Sequence, residues 1–155
     1  MSTPTSSHAY GIAIIAMIVG MAAGISYYQL FYIPELTAKP KIAEEVLNPK
    51  EETQIHMVLG AANPQQQDNF VPKLVKDIQL GFNNKVTWEN ADQTPHTVTP
   101  DTPFKDLYSG DFGSKGVVKS GEKYEFLFTQ DAEIAYHCEP HPWMKGKVII
   151  TKSRF

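Results

Sequence analysis

Two regimes of hydrophobic patterning divide this chain. From Gly11 to Tyr28 it reads GIAIIAMIVGMAAGISYY, eighteen residues without a charge, and the apolar run continues through Phe31, Tyr32 and Ile33 to Pro34. It is apolar on every face, and roughly 20 such residues span a bilayer as a helix. From Gln54 onward the period drops to two. Ile55, Met57 and Leu59 share a face, as do Leu74, Ile78 and Leu80; Val86 and Trp88; Tyr124, Phe126 and Phe128; Ile134, Tyr136 and Cys138; and Val148 and Ile150. Turn chemistry separates these runs at Ala62-Asn63-Pro64, Gly81 to Asn84 and Lys119-Ser120-Gly121. Short alternating strands between regular turns predict an all-β antiparallel sandwich. The stretch from Thr94 to Gly116, rich in Pro, Asp, Ser and Gly, predicts a long irregular crossover.

The expected organisation is a short tail over residues 1–10, a single transmembrane α-helix over 11–33, a polar tether over 34–52 and one folded domain over 53–155. Tyr27, Tyr28, Phe31 and Tyr32 cluster at one end of the apolar run, where aromatic side chains meet the membrane interface. A cleaved signal peptide is the rival reading, but residues 1–10 contain no Lys or Arg and no convincing A-x-A site follows the apolar core. Ala16, Gly20 and Gly24 recur every fourth residue. That pattern lets two membrane helices approach closely and leaves room for a membrane-complex partner at Gly20/Gly24, although Gly and Ala are also simply common in such helices.

Charge changes little. Net charge is −3, and residues 34–52 carry five of the seventeen acids and three of the fourteen Lys/Arg, which leaves the remainder at −1. A near-neutral domain gives no reason to expect nucleic acid. Lys39, Lys41 and Lys50 follow the helix and none precedes it, which would favour a cytoplasmic domain. They sit among five glutamates, and the site chemistry suits export, so the expectation is a single-pass cell-membrane protein with its folded domain on the extracytoplasmic side.

The chain has one cysteine, which excludes a disulfide and any site that needs two thiolates. The strand ending at Cys138 runs into Cys-Glu-Pro-His-Pro-Trp-Met, placing His141 at +3 and Met144 at +6, and His96 lies upstream in Thr-Pro-His-Thr-Val. With five His and five Met in the chain, that downstream pair arises by chance roughly once in a thousand. One thiolate, two imidazoles and one thioether are the ligand set of a blue copper site, trigonal with a weak axial sulfur. The expected metal ligands are therefore His96, Cys138, His141 and Met144, holding one type 1 copper ion. Zinc competes for Cys/His sites, but a thioether is a poor zinc ligand and structural zinc sites usually use two or more Cys. His137 points to the opposite strand face, and His56 belongs to the surface.

The segments TPHTVTP and YHCEPHPWMKGKVII resemble the cupredoxins of the plastocyanin/amicyanin group, and the short C-x-x-H-x-x-M loop is closer to amicyanins. The resemblance runs from about Gln54 to Lys152. It implies a two-sheet Greek-key β-sandwich with copper at one end, His96, Cys138 and His141 equatorial and Met144 axial. It also implies that redox protein partners dock near His141, framed by Pro140, Pro142 and Trp143. Thr97 stands where many relatives carry Asn. The expected function is that of a membrane-anchored electron-transfer protein, not an enzyme. The alternative is a cupredoxin-domain subunit, relay or structural, of a larger membrane oxidoreductase complex.

Overall fold

The computed structural model describes residues 6–37 and 41–152. They fall into two compact units that divide between Lys39 and Pro40.

The first unit is helical. An α-helix, α1 (Ser6–Tyr27), passes into a π-helical turn at Tyr28–Tyr32 and then into α2 (Ile33–Thr37). The π turn closes with the Ile33 N–H donating to the Tyr28 carbonyl, immediately before Pro34, a residue that has no N–H for the usual α-helical bond. The aromatic residues stack four apart, Tyr27 on Phe31 at 5.6 Å and Tyr28 on Tyr32 at 5.3 Å. Tyr10–Leu36, 27 residues, is long and apolar enough to cross a membrane, measuring about 40 Å at helical rise. The helical run thus extends beyond the expected 11–33 at both ends.

The second unit opens with a single helical turn, α3 (Glu44–Leu47), followed by strands β1 (Glu52–Met57), β2 (Phe70–Val71), β3 (Leu74–Gln79), β4 (Lys85–Asn90), β5 (Thr99–Pro100), β6 (Lys105–Asp106), β7 (Gly110–Asp111), β8 (Lys123–Leu127), β9 (Ala132–Cys138) and β10 (His141–Thr151). One sheet runs β2-β1-β4-β8 and the other β3-β10-β9-β5, with β6-β7 as a separate pair. The alternating residues face inward as expected: Ile55, Met57, Val86, Trp88, Phe126, Ile134, Tyr136, Cys138, Val148 and Ile150 are all buried. Each large apolar side chain so buried stabilises the sandwich by about 1.5–3 kcal/mol. Leu59 and Leu74 break the pattern and are exposed. Leu59 lies past the end of β1, and a register shift between Val148 and Ile150 interrupts the pairing of β3 with β10.

The sheets are mixed rather than antiparallel. β1 pairs with β4 in parallel, and so does β3 with β10. Period-two alternation records which face a residue occupies and carries nothing about strand direction. The polar segment before β1 is also partly folded. Asn84, fully buried, donates from Nδ2 to the carbonyls of Val46 (2.8 Å) and Phe128 (2.6 Å), and its Oδ1 accepts from the Gly81 N–H (2.9 Å). These bonds tie α3 to the β4 end of the sandwich, and Gly81, at φ +82°, supplies the turn between β3 and β4.

Candidate metal centre

Three segments converge at one end of the sandwich. His96 lies between β4 and β5, and its backbone is clamped to the next crossover by two bonds: the His96 N–H donates to the Val118 carbonyl (3.1 Å) and the Val118 N–H to the His96 carbonyl (2.7 Å). Cys138 ends β9 and His141 begins β10, opposite each other across a tight turn. The register then jumps, with His141 facing Cys138 but Lys145 facing His137, so Pro142, Trp143 and Met144 have no counterpart on β9. A bulge of that kind re-aims side chains at a sheet rim. Met144, within it, is fully buried in the same core cluster as Cys138.

The donor atoms form a small triangle. His96 Nδ1 lies 3.6 Å from Cys138 Sγ, His141 Nδ1 lies 3.5 Å from the same sulfur, and the two nitrogens are 3.2 Å apart. A point equidistant from all three is about 2.0 Å from each, close to the roughly 2.0–2.3 Å of metal–nitrogen and metal–sulfur bonds. The three residues form a group able to hold a metal ion. His96 and Cys138 are fully buried, and His141 is half-buried.

The surroundings prepare these atoms for a cation. His96 Nε2 faces Asp92 Oδ2 at 2.9 Å. Asp92 Oδ1 also accepts the N–H groups of Gly60 (3.0 Å) and Gln93 (2.8 Å), and Oδ2 that of Ala62 (3.3 Å). Burial pushes the Asp92 carboxyl up, but the Gly60 N–H, the His96 imidazole and the Gln93 and Ala62 N–H groups outweigh it and hold it down to about 2. A carboxylate has no proton to give, so His96 carries its hydrogen on Nε2 and presents a lone pair at Nδ1. Burial likewise pushes the Cys138 thiol up, yet His96 and the Thr97 N–H, 3.3 Å from Sγ, bring it below its ordinary value. Burial lowers His96 while Cys138 and Asp92 raise it, with a net rise; at His141 burial, then the neighbouring His96, lowers it. Lone pairs directed at a common centre, with a buried anion behind them, suit a soft or borderline metal ion.

Residues 65–151 match the profile of the copper-binding proteins of the plastocyanin/azurin family. The chain belongs to that family. This cupredoxin is 33% identical over 75 residues to an amicyanin of Paracoccus denitrificans, a match covering 48% of this chain and 54% of the relative. It spans about half the length of that curated relative. A purple cupredoxin from Nitrosopumilus maritimus superposes with a TM-score of 0.51 at 24% identity, covering 64% of this chain and 99% of that one. A copper-containing nitrite reductase from Thermus scotoductus SA-01 also superposes at 0.51 and 22% identity, over 74% of this chain and 27% of the reductase. These structural likenesses establish the cupredoxin fold. The family supplies the cofactor as well, one type 1 copper, in agreement with the expectation drawn from the donor set.

Sequence reasoning missed Asp92, whose signal was its position four residues before His96 in an Asn-Ala-Asp turn. It also missed how Thr97 serves the site. The Thr97 backbone N–H, not its side chain, approaches the sulfur most closely, while Oγ1 accepts the Glu139 N–H (2.8 Å) and so ties the His96 segment to the turn after Cys138. His137 lies on the opposite face, its Nδ1 2.5 Å from Asp101 Oδ1. His56 is half-exposed beside Glu89. Trp143, 36% exposed, sets its ring 5.3 Å from that of His141 and donates from Nε1 to the Ala61 carbonyl (3.3 Å).

Proposed function

We propose that this chain is a membrane-anchored carrier of single electrons, in which His96, Cys138 and His141 are the equatorial ligands and Met144 the axial ligand of one type 1 copper. The observation that carries the reading is the convergence of His96 Nδ1, Cys138 Sγ and His141 Nδ1 within 4.8 Å of one another. Bound copper supplies a one-electron couple. The protein's part is to hold the donors at positions tolerable to both oxidation states, so that little moves when the electron arrives. Strand pairing on both sides of the 138–141 turn and the paired bonds at His96 provide that rigidity.

His141 is the least buried of the four ligands, with the exposed Pro140, Pro142 and Trp143 around it. Redox proteins dock there weakly and exchange electrons through its ring edge; no reaction is catalysed. The helix Tyr10–Leu36 is the anchor, residues from about 41 onward fold with the copper domain, and that domain faces the extracytoplasmic side. A second reading makes the chain a subunit of a membrane oxidoreductase complex. It is favoured by Gly20 and Gly24, which have open space where a side chain would stand and offer a face for another helix. Copurification of a defined complex after gentle detergent extraction favours the second reading over the first.

Cys138→Ser tests the site. The full-length protein in detergent, loaded with Cu(II), shows an intense visible charge-transfer band that bleaches on one-electron reduction, and the variant loses that band altogether. A wild-type protein that stays colourless with copper, or a Cys138→Ser variant with unchanged colour, would falsify the assignment.

A further inference from the structure

We propose that Asp92 is a positioning residue of the copper centre, fixing the tautomer of His96 and biasing the bound ion toward Cu(II). This deepens the copper reading above and depends on it. The carboxylate is 3% exposed, and each of its polar contacts is a donor: His96 Nε2 at 2.9 Å and the N–H groups of Gly60, Ala62 and Gln93 at 3.0, 3.3 and 2.8 Å. Three of these come from backbone that cannot rotate away, so the anion is held in one place. His96 in turn is 0% exposed, and among the described residues its Nε2 has no hydrogen-bond partner besides Asp92.

Two consequences follow. With the hydrogen held on Nε2, the neutral imidazole presents its Nδ1 lone pair to Cys138 and His141, so no tautomer exchange is needed when copper binds. In addition, a buried negative charge one imidazole away from the ion favours the more highly charged oxidation state, and the dry surroundings leave that attraction poorly screened. When the electron arrives at copper, the site loses one unit of positive charge and Asp92 does not move to compensate. Its presence therefore lowers the reduction potential.

Asp92→Asn keeps the volume and one acceptor oxygen, enough for the Gly60 and Gln93 N–H groups, while removing the charge and the second oxygen, which faces His96 Nε2 and the Ala62 N–H. Partners of ligating histidines commonly matter 10–100-fold in metal affinity when mutated. The expectation is at least a tenfold fall in Cu(II) affinity relative to Cu(I), which is about 59 mV upward in potential for one electron. The measurement is a spectroelectrochemical titration of the full chain in detergent. Asp106→Asn is the control, because it removes another buried carboxylate whose partners all lie outside the site, and its potential stays at the wild-type value. A second measurement needs no variant: nitrogen NMR of the metal-free wild-type protein, at a pH where the His96 imidazole is neutral, shows it as the Nε2–H form. An unshifted potential in an Asp92→Asn variant that retains the visible band overturns the inference and leaves the copper reading standing, as does an Nδ1–H tautomer for His96. A wild-type protein without a copper band removes the copper reading first, and the inference with it.

Discussion

Adding one methyl group at Gly146 should damage this domain as much as truncating a core side chain would. Gly146 pairs with Tyr136 across β10 and β9, and the tyrosine ring lies over the space where a side chain at 146 would stand. An added Cβ would overlap Tyr136 Cζ and its oxygen outright and sit 2.7 Å from Cε2. The ring cannot simply swing aside. It is fully buried, edge-on to Phe70 at 5.0 Å and to Trp88 at 5.6 Å, with Phe112 at 6.5 Å. Overpacking a rigid site costs about 1–3 kcal/mol, and expelling a large aromatic ring about 3–5 kcal/mol, so Gly146→Ala is expected to lose about 3 kcal/mol or more. For a domain of roughly a hundred residues that lowers Tm by about 12–24 °C. Tyr136 precedes Cys138 by two residues and Gly146 follows Met144 by two, so the strain reaches the segment from Cys138 to Met144 from both strands. The assay is urea unfolding of the metal-free full-length protein in detergent, followed by near-ultraviolet circular dichroism. Tyr136→Ala should cost less in the Gly146→Ala background than alone, with a coupling of at least about 1 kcal/mol. A loss below about 1 kcal/mol, or simple additivity of the two changes, would refute the steric argument.

Two further predictions concern groups that frame the fold and the site. Asp106, fully buried, accepts the N–H groups of Tyr108, Ser109 and Thr129 and the Thr129 hydroxyl. Burial pushes its carboxyl up, but these donors leave it below the ordinary value of 3.8. A depressed folded-state pKa means that its stabilisation is fully present above the unfolded value and disappears as the pH falls through the folded pKa. Asp106→Asn should therefore cost about 1.5–3 kcal/mol near neutrality, and the gap to wild type should narrow as the pH falls below the ordinary carboxyl value of 3.8 in acid-unfolding curves; a gap that stays constant with falling pH argues against the assignment. Thr97→Val removes the acceptor for the Glu139 N–H while leaving the Thr97 backbone N–H on Cys138 Sγ. It should cost about 1–3 kcal/mol in chemical denaturation yet keep the visible copper band, and a bleached variant would show that the hydroxyl itself supports the sulfur.

How much of this could be read from residue order alone depends on the range over which each feature acts. The apolar run from Gly11, the inward faces of the strands and the +3 and +6 spacing after Cys138 are local properties, legible because a side chain's polarity and its distance along the chain decide them. The candidate donor types were legible for the same reason: a thiol, two imidazoles and a thioether keep their chemistry whatever the fold. The fold alone decided what depends on which distant segments meet. It brought His96 to within 3.6 Å of Cys138, forty-two residues away, and set Asp92 behind it. Strand alternation could not disclose that β4 runs parallel to β1, and a polar tether could not disclose that the Val46 carbonyl would receive the Asn84 amide. Direction, register and the company a buried carboxylate keeps are set by the collective packing of two sheets, which no single stretch of residues encodes.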